Sequence, residues 1–584
     1  MENSEIAGIF WEMAEFLELK SDNPFKIRAY RRAAQNIESL SHDLKDTYAS
    51  GGLAALEEIP GIGLHIAEKI EEYIKTGKVS AHEKLKKSFP KNFLSLVDIP
   101  GMGTKTAVLL YKKLKIDSPE KLEKAVRAGK LTGIPGMGEK KADNFLRGIE
   151  LKKKSRGRFL LDVASAHAEL IVEELSRLKA VKKILPCGSL RREQETVGDL
   201  DILVVSSQPQ KVMSAFVALP AVKTVLAHGQ TKSSVILKNG MQADLRVVEK
   251  KAFGAAAHYF TGCKSHNIHL RQLAQKKGWK VSEYGIFAPA RTPSGRASSG
   301  REIQIGGATE AEMFSKFNLQ YIPPELRESR GEFEAAAKGK IPKLIEPTDL
   351  RGDLHMHTNA SDGANTIEEM ARTAQKLGYE YILISDHSYS TRVAGGLSAA
   401  AMEQHLKKIR AADKKVKGIK ILAGAEVDIK NDGTLDYPDK LLSQMDLVIA
   451  AIHSSFKMQA EKMTTRITRA LQNKYVNIFS HPSGRLINQR EPYAVDMEAV
   501  LATAKKHNVA IEINAHPKRL DLTDVYCMRA KELGVKLVIS TDAHATGELE
   551  LMKYGVMVAR RGWLEKKNVI NTLPLKQLLA TLKK

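Results

Sequence analysis

The stretch 188–201, GSLRREQETVGDLD, ends in two carboxylates at the point where the apolar run ILVV predicts the start of a buried strand. Side chains alternate faces along a strand, so residues two positions apart project in the same direction. Asp199 and Asp201 are therefore expected to face one space a few ångströms wide, where a divalent metal ion can bind.

The residues before these carboxylates suit a polyphosphate. Gly188 and Ser189 are predicted to form a short turn that exposes backbone N–H groups and a hydroxyl. Arg191 and Arg192 add two guanidinium groups, which match the geometry of phosphate oxygens. Together they predict a triphosphate pocket beside the metal site.

A third carboxylate comes from the segment 235–248, VILKNGMQADLRVV. Its pattern predicts two strands joined by a turn at 238–240, with Gln242, Asp244 and Arg246 on one face. Most Asp-x-Asp pairs are only polar strand ends. The Gly-Ser turn, the paired arginines and Asp244 as third ligand favour instead a site for two Mg²⁺ or Mn²⁺ ions that promote phosphoryl transfer.

These motifs resemble the nucleotidyltransferase superfamily, and the segment 259–271 resembles family X DNA polymerases, the family of vertebrate polymerase beta. The resemblance implies that Tyr259 and Phe260 crowd the 2′ position of the sugar, and that Asn267 and Arg271 contact bases. Gln242 and Lys264 depart from the vertebrate enzyme, beside the third carboxylate and the incoming nucleotide. The expected nucleotide-binding residues are Gly188, Ser189, Arg192, Gly198, Tyr259, Phe260, Gly262, Asn267 and Arg271.

The composition of the chain indicates what kind of partner it binds. A chain of 584 residues predicts three to five domains, and a formal charge of +23 predicts a polyanion as partner. Nucleic acid fits better than a membrane, because neither a long apolar span nor an amphipathic anchor occurs. The start lacks a basic leader with an apolar core, and the three cysteines have no CxxC spacing. We expect a cytoplasmic protein, and a monomer by default.

Three similar units occur in the first 150 residues: EIPGIGLHIAEKI at 58–70, DIPGMGTKTAVLL at 98–110 and GIPGMGEKKADNF at 133–145. In each, Pro-Gly-x-Gly predicts a tight turn that directs backbone N–H groups and a helix N-terminus outward, toward a DNA phosphate. One such turn could merely connect helices, whereas three in a basic chain favour non-specific DNA binding. The units resemble the helix-hairpin-helix motif, and the predicted DNA-binding residues are Gly61, Gly63, Gly101, Gly103, Gly136 and Gly138.

Lys69 lies on the helix after the first of these turns. The polymerase beta resemblance implies a Schiff base between this lysine and an abasic deoxyribose, followed by loss of the 5′ phosphate. Neighbouring cations favour the neutral, nucleophilic amine. A simple phosphate contact is the equal alternative.

The C-terminal part has a different regularity, in which seven apolar runs alternate with helical segments and nearly every run ends in a metal-type ligand. This pattern predicts a parallel, seven-stranded (β/α) barrel-like sheet with its ligands at one mouth. Mixed histidine and carboxylate sets suit Zn²⁺, Mn²⁺ or Fe²⁺, and nine ligands imply two or three ions. The ligands are His355, His357, Asp362, His387, Glu426, His453, His481, Asp542 and His544.

This part resembles the polymerase and histidinol phosphatase (PHP) domain, and the chain as a whole resembles bacterial family X polymerases that carry it. The resemblance implies a 3′→5′ exonuclease that favours manganese, with abasic-site endonuclease or 3′-phosphatase activity secondary. His516 falls outside the motifs and is expected to be an ordinary loop residue. Two alternatives remain: an architectural DNA-binding protein with decayed sites, and a phosphatase for a small phosphate ester.

The predicted fold is multidomain. Helix-hairpin-helix modules precede an α+β nucleotidyltransferase palm, and the PHP barrel comes last. The basic run 151–158 is expected to contact the DNA backbone, and 286–307 to form a hairpin or loop. The predicted divisions are 1–80 (lyase-like module), 81–157 (second DNA-binding module), 158–250 (palm), 251–320 (nucleotide selection), 321–349 (linker) and 350–584 (PHP domain).

Overall fold

The structure is a computed structural model. It describes the chain except for residues 1, 21, 39–43, 60, 91–92, 98, 100–101, 132, 135–136, 139–140, 144, 147–148, 150–157, 292–296 and 583–584. Gly101, Gly136 and all of the basic run 151–158 except Arg158 lie outside the described residues.

The N-terminal part is helical and has two hydrophobic cores. Phe10, Ile37 and Ile70 belong to the first core, and Phe93 and Leu110 to the second. The long first helix contributes to both cores and so joins the two modules. The helices are Glu2–Leu19, Pro24–Glu38, Leu44–Glu57, Leu64–Thr76, Ser80–Lys86, Leu94–Val97, Thr104–Leu114 and Pro119–Arg127.

The predicted palm, residues 158–250, is described throughout and is built on a sheet. Its main sheet has the strand order Val181–Pro186, Asp199–Ser206, Gln242–Val248, Lys232–Leu237, Val222–His228. Only the pairing of Asp199–Ser206 with Gln242–Val248 is parallel; the other pairs are antiparallel. A short antiparallel pair, Phe159–Leu160 with Thr196–Val197, lies beside the sheet. The helices Leu161–Ser176, Gly188–Arg191 and Pro209–Val217 complete the palm.

The next part contains the helices Phe253–Thr261, Lys264–Lys276 and Glu310–Ser315 and a small antiparallel sheet. The sheet strands Lys280–Ser282, Gly285–Arg291 and Ala297–Gly306 pair in order. The predicted hairpin at 286–307 is therefore confirmed.

The interpretation of 321–349 as a linker is wrong. Ile322, Leu326 and Phe333 are buried in one core with residues of the preceding helices. Arg327 is fully buried and binds Glu310. The stretch also forms the helix Glu332–Ala337 and the 3₁₀ turns Pro324–Leu326 and Pro347–Asp349. Prolines and charges suggested a solvated linker, but these charges are paired inside the protein.

The C-terminal part is the predicted barrel. Its strands, all parallel and adjacent in sequence order, are Gly352–Asp353, Tyr381–Ile384, Lys420–Asp428, Leu447–Ala451, Val476–Phe479, Ala510–Asn514 and Leu537–Ser540. A parallel bridge between Met356 and Ala543 joins the first strand's extension to the last. The helices are Ile367–Lys376, Ala399–Lys415, Asp439–Leu442, Ala460–Leu471, Met497–Lys506, Asp524–Leu533, Met552–Arg561 and Leu575–Leu582.

One barrel helix shows how the sequence sets these elements. In Ile367–Lys376, Thr366 caps the N-terminus together with Glu369 in a capping box, and Ile367, Met370 and Ala374 are buried. The apolar residues therefore line one helix face and pack against the sheet.

The palm and the barrel share a continuous hydrophobic core, which includes Leu161 and Val204 of the palm and Tyr554 and Val558 of the barrel. The two catalytic candidates are thus held in a fixed relation. Among the described helices, none combines the length and the apolar character needed to cross a membrane.

Candidate catalytic centres

The palm carboxylates lie at the start of two neighbouring parallel strands. The register places Asp199 opposite Gln242 and Asp201 opposite Asp244. Because Asp199 and Asp201 are two positions apart, the strand directs them to one face. The structure therefore brings the three predicted acids to the same edge of the sheet.

Mutual repulsion marks this edge as a cation site. The pKa of Asp201 is raised to about 6, chiefly by burial and then by the charges of Asp199 and Asp244, against Arg246 and Lys232, which lower it. The neighbouring carboxylates thus disfavour the ionised form of Asp201, and a divalent cation removes that cost. The donor set therefore fits a hard ion such as Mg²⁺ or Mn²⁺.

Asp244 is buried and already has two partners. Gln242 Nε2 donates a hydrogen bond of 2.9 Å to Asp244 Oδ1, and Lys232 Nζ lies 3.3 Å from Asp244 Oδ2. The three palm acids are not among the described groups whose ligand atoms all lie within 4.8 Å of one another. Their oxygens are thus more widely spaced than those of the barrel ligands.

The predicted Gly-Ser turn is the one-turn helix Gly188–Arg191. The N–H of Cys187 donates to the carbonyl of Asp201, which ties the turn to the metal-binding strand. Gly188 has a φ of +64°, and a Cβ at this position would lie 2.7 Å from Asp201 Oδ2. Only glycine allows this close approach. Ser189 follows it half-buried, and Gly198 immediately precedes the strand.

The two predicted phosphate-binding arginines are engaged in ion pairs. Arg191 makes a bidentate pair with Glu310, and Arg192 Nε lies 2.9 Å from Glu328 Oε1. Arg192 also donates to the carbonyl of Thr261. The sequence pattern missed these carboxylates because they lie more than 100 residues away.

The nucleotide-selecting segment forms a compact cluster. Tyr259 and Phe260 are half-buried at the end of helix Phe253–Thr261, which stops at Gly262 with a φ of +73°. Asn267 Nδ2 donates to the carbonyl of Tyr259 at 2.8 Å, and the Arg271 guanidinium lies 5.3 Å from the Tyr259 ring centroid. Asn267 and Arg271, which were expected to touch bases, therefore hold Tyr259 in this structure.

All nine predicted barrel ligands converge at the carboxyl ends of the strands. Among the described residues they form three groups, each with its ligand atoms within 4.8 Å of one another. His481 Nε2 adds a contact of 2.8 Å to Glu426 Oε1. The groups are His357, Asp362, His387 and His544; His355, His357 and Asp542; and His387, Glu426 and His453.

Buried polar atoms of these groups lie close together. His387 Nδ1 lies 2.9 Å from Glu426 Oε2, and His357 Nδ1 is buried without a hydrogen bond. An unsatisfied buried imidazole or carboxylate atom is costly unless a cation binds it. The pKa of His357 is lowered to about 4, chiefly by burial and then by His387 and His544, so its neutral form is available as a ligand. The barrel thus fits a cluster of transition-metal ions.

Sequence reasoning missed the residues that orient these ligands. Glu512 Oε1 lies 2.7 Å from His355 Nδ1, and its other oxygen accepts from the N–H of His481. Asp428 Oδ1 lies 3.2 Å from His453 Nδ1. Such carboxylate partners fix the tautomer and direction of a ligating histidine. A charged residue inside the apolar run VAIEIN was the available signal for Glu512.

Two further residues approach the barrel mouth. Arg519 Nε lies 3.4 Å from Asp542 Oδ2. His516, expected to be an ordinary loop residue, is outside the three ligand groups, but it lies near Asp542; burial lowers its pKa to about 3. Both residues border the ligand cluster without belonging to it.

The described residues of the three Pro-Gly-x-Gly units share two backbone hydrogen bonds. The N–H groups of Ile62, Met102 and Met137 each donate to the carbonyl of the isoleucine three residues earlier. Gly63, Gly103 and Gly138 then each accept from the N–H three residues later, where a helix begins. Gly61, Gly63, Gly103 and Gly138 are described, and all except Gly61 lie in extended loop positions before that helix.

Lys69 lies on the helix Leu64–Thr76, after the first turn. Its Nζ donates to the carbonyl of His65 at 2.8 Å and is exposed enough to reach a ligand. The position agrees with a DNA contact and with a nucleophile alike.

Comparisons with protein families match five parts of the chain. Residues 1–79 match a helix-hairpin-helix domain, and 93–150 match a SAM-like helix-hairpin-helix tandem. Residues 162–271 match the DNA polymerase beta palm, 256–328 the DNA polymerase beta thumb, and 353–516 the PHP domain.

Comparisons with curated proteins cover either the full chain or its barrel. The chain is 40% identical over 590 residues to the DNA polymerase/3′-5′ exonuclease PolX of Bacillus subtilis (strain 168). The alignment covers 100% of this chain and 100% of that protein. A probable phosphatase of Thermoanaerobacter sp. (strain X514) is 31% identical over 38% of this chain and 89% of its own length. A probable phosphatase of Caldanaerobacter subterraneus is 32% identical over 33% of this chain and 75% of its own.

Proposed function

Because the chain belongs to the bacterial family X DNA polymerases with a C-terminal PHP domain, we propose that Asp199, Asp201 and Asp244 carry its DNA synthesis and the barrel ligands its nuclease. The protein is a DNA polymerase that fills short gaps, and a 3′→5′ exonuclease. Its substrates are DNA and deoxynucleoside triphosphates.

In the polymerase centre, Asp199, Asp201 and Asp244 would hold the divalent ions that the triphosphate needs. When bound, such ions neutralise phosphate charge and stabilise both the attacking and the leaving oxygens. The primer 3′-oxygen attacks the α-phosphorus, and the bond to pyrophosphate breaks. The N–H groups of the Gly188–Arg191 turn and Arg192 bind the triphosphate, while Tyr259 and Phe260 close the space next to the sugar.

In the barrel, the nine predicted side chains would hold the metal ions that act on the scissile phosphodiester. When bound, the ions supply an activated water and neutralise the attacked phosphate. Glu512 and Asp428 keep His355 and His453 in the ligating tautomer and orientation. Arg519, beside Asp542, offers a guanidinium to a phosphate oxygen.

One observation carries each half of this proposal. For synthesis it is the parallel strand register, which places Asp201 opposite Asp244. Gly188 lies beside Asp201, at a position where a side chain would clash with the carboxylate. For cleavage it is the convergence of nine predicted ligands from separate strand ends, among which the buried His357 Nδ1 has no hydrogen bond. A protein with decayed sites would not preserve either arrangement, which argues against the architectural alternative.

The test uses a labelled DNA with a one-nucleotide gap, with and without nucleotides, in Mg²⁺ and in Mn²⁺. Asp199→Ala should abolish extension and keep degradation, whereas His355→Ala should do the reverse. Extension that survives Asp199→Ala would refute the palm assignment. Degradation that survives His355→Ala, in protein free of contaminating nucleases, would refute the barrel assignment.

We propose Lys69 as the nucleophile of a 5′-deoxyribose-phosphate lyase, because its amine is accessible on the helix of the first DNA-binding turn. Borohydride should trap a covalent adduct on a DNA with this 5′ end, and Lys69→Ala should not form one. A persistent adduct would exclude Lys69. Cleavage at abasic sites by the barrel metals is a secondary proposal, tested by its loss in His355→Ala.

The small-ester alternative rests on the relatives named probable phosphatases, which align only with the barrel. Three DNA-binding turns in the same chain favour DNA instead. We propose Mg²⁺ or Mn²⁺ for the palm, Mn²⁺ or Zn²⁺ for the barrel, a monomeric state and a cytoplasmic location. Metal analysis of the purified protein tests the two metal assignments, and its sedimentation velocity tests the monomeric state.

A further inference from the structure

A short loop, residues 388–397 (SYSTRVAGGL), leaves the barrel immediately after the metal ligand His387. The loop is pinned at its base. Ser390 donates to Asp436 through both its N–H and its hydroxyl at 2.7 Å, and the Leu397 N–H returns to the carbonyl of His387 at 2.9 Å. The backbone is therefore rigid where it leaves and rejoins the barrel.

The loop also lies against two metal-ligand groups. The Thr391 hydroxyl donates to Asp428 and lies 3.5 Å from His453 Nδ1. At the far end, a Cβ on Gly395 would lie 3.1 Å from the carbonyl of Ser361, the residue before the ligand Asp362. The loop therefore runs along the mouth from one ligand group to another.

Above this rigid base the loop presents three side chains to solvent. Tyr389 is 47% exposed and Val393 is fully exposed. The Arg392 guanidinium lies 4.8 Å from the Tyr389 ring centroid. An exposed aromatic ring with a stacked guanidinium is the usual platform for an unpaired base and its phosphate. A lone exposed valine is unremarkable elsewhere, but an apolar tip beside such a platform resembles the wedges that separate stacked bases.

A substrate must reach ligands that are themselves buried, since His355, His357 and Glu426 are at most 1% exposed. A terminal nucleotide that has left its partner and extends alone can reach such recessed ligands. The separated base then needs a surface on which to stack.

We propose that the 388–397 loop is the binding site for the unpaired 3′-terminal nucleotide of a DNA strand. Tyr389 stacks on its base, Arg392 contacts the phosphate behind it, and Val393 inserts between the separated base and the paired end. This inference rests on the exonuclease function proposed for the barrel, and it assigns the residues that admit the substrate.

The first test measures binding without cleavage. The full-length protein, free of divalent metal, is titrated onto a single-stranded oligonucleotide with 2-aminopurine at its 3′ end. Stacking should quench the fluorescence with the wild type and with Tyr389→Trp, and Tyr389→Ala should remove the quench. Equal quenching by Tyr389→Ala overturns the proposal, whatever nuclease activity the protein shows.

The second test separates the loop from the metal cluster. Tyr389→Ala and Arg392→Ala should lower kcat/KM for DNA about tenfold or more, and leave hydrolysis of methyl p-nitrophenyl phosphate unchanged. Val393→Ser should slow removal of a paired 3′ nucleotide but not of a single-stranded 3′ tail. Parallel loss of ester and DNA hydrolysis would show that the loop only supports the ligands, and would overturn the proposal.

Two controls lie at the other end of the barrel. Leu377→Ser changes an exposed aliphatic side chain beyond the end of helix Ile367–Lys376. Tyr475→Ala changes a tyrosine with Lys474 over its ring, just before strand Val476–Phe479. Both should excise DNA at the wild-type rate. A wild type that hydrolyses the ester but not DNA would refute the exonuclease function. The fluorescence test would still show whether the 388–397 loop binds an unpaired 3′ nucleotide.

Discussion

Glu195 of the palm and Arg485 of the barrel form an ion pair, with Arg485 Nη2 2.6 Å from Glu195 Oε2. Glu195 stands four residues before Asp199 of the palm, and Arg485 stands four residues after His481 of the barrel. Arg485 also donates to the carbonyls of Arg519 and Leu520. The two centres are thus connected by short, well-bonded segments.

The two partners of this pair should differ in their effect on stability. Glu195→Gln should lower the free energy of unfolding by less than about 1 kcal/mol, because Glu195 is 42% exposed and its charge is well solvated. Arg485→Met should cost about 2–4 kcal/mol, because two buried carbonyls lose their donor as well. Urea denaturation measures both values. Equal effects would show that the ion pair itself dominates.

Gly188→Ala should reduce polymerase activity about 100-fold. The added Cβ would meet Asp201 Oδ2 at 2.7 Å and displace a metal-binding oxygen. Gly240→Ala is the matched control, because its φ is also positive, at +90°, but nothing lies within 4 Å of the added carbon. Single-nucleotide incorporation should separate the two variants, while excision from a 3′ end should be normal in both. Similar losses of incorporation would indicate backbone strain alone.

Glu512→Gln should lower the metal affinity of the barrel about 10–100-fold, because the amide cannot accept from His355 and His481 as the carboxylate does. Exonuclease activity should fall at limiting Mn²⁺ and recover in excess. Glu498→Gln alters an exposed carboxylate paired with Arg529 and should change nothing. Calorimetric titration of the metal-free protein gives the affinities, and an unchanged affinity would limit Glu512 to a structural role.

Much of this molecule could be predicted from local patterns. The carboxylates Asp199 and Asp201 and the strand-end histidines follow from side-chain alternation and from apolar runs, which depend only on neighbours in sequence. Partners that are distant in sequence could not be found in this way. Arg191 and Glu310 are 119 residues apart, and Glu195 and Arg485 are 290 apart.

The wrong interpretation of 321–349 as a linker also arose because partners distant in sequence could not be found. Composition cannot distinguish a charge that is solvated from one that is buried and paired. Glu325, Arg327 and Glu332 made 321–349 resemble a solvated linker, whereas each is buried with a partner.

Glu193 should make stability depend on pH. Its pKa is raised to about 8, chiefly by burial and then by the charge of Glu325, against Arg560 and Arg561, which lower it. The folded state then binds a proton that the unfolded state has released, so stability should fall as the pH rises from about 4.5 to 8. Glu193→Gln should flatten this slope and stabilise the protein above pH 8. Denaturation at pH 6 and 8.5 tests this, and a slope that persists in the variant would assign it to other groups.

Arg561 should act on the polymerase from within the barrel. Its Nη1 donates to the carbonyl of Arg192 at 2.6 Å and lies 3.0 Å from the same Glu328 oxygen that binds Arg192. Removing this donor should free Arg192 from its fixed position beside the triphosphate pocket. Arg561→Met should therefore raise KM for the nucleotide about tenfold, or about 1.4 kcal/mol, with kcat almost unchanged.

The control for Arg561 is Arg330→Met, which removes a second partner of Asp524 without touching Arg192. Both variants loosen the same carboxylate, so any general weakening of the contact between palm and barrel should appear in both. A higher KM in Arg561→Met alone would show that a barrel residue positions a nucleotide-binding group of the polymerase. Equal KM values in the two variants would show instead that Arg561 only holds the domains together.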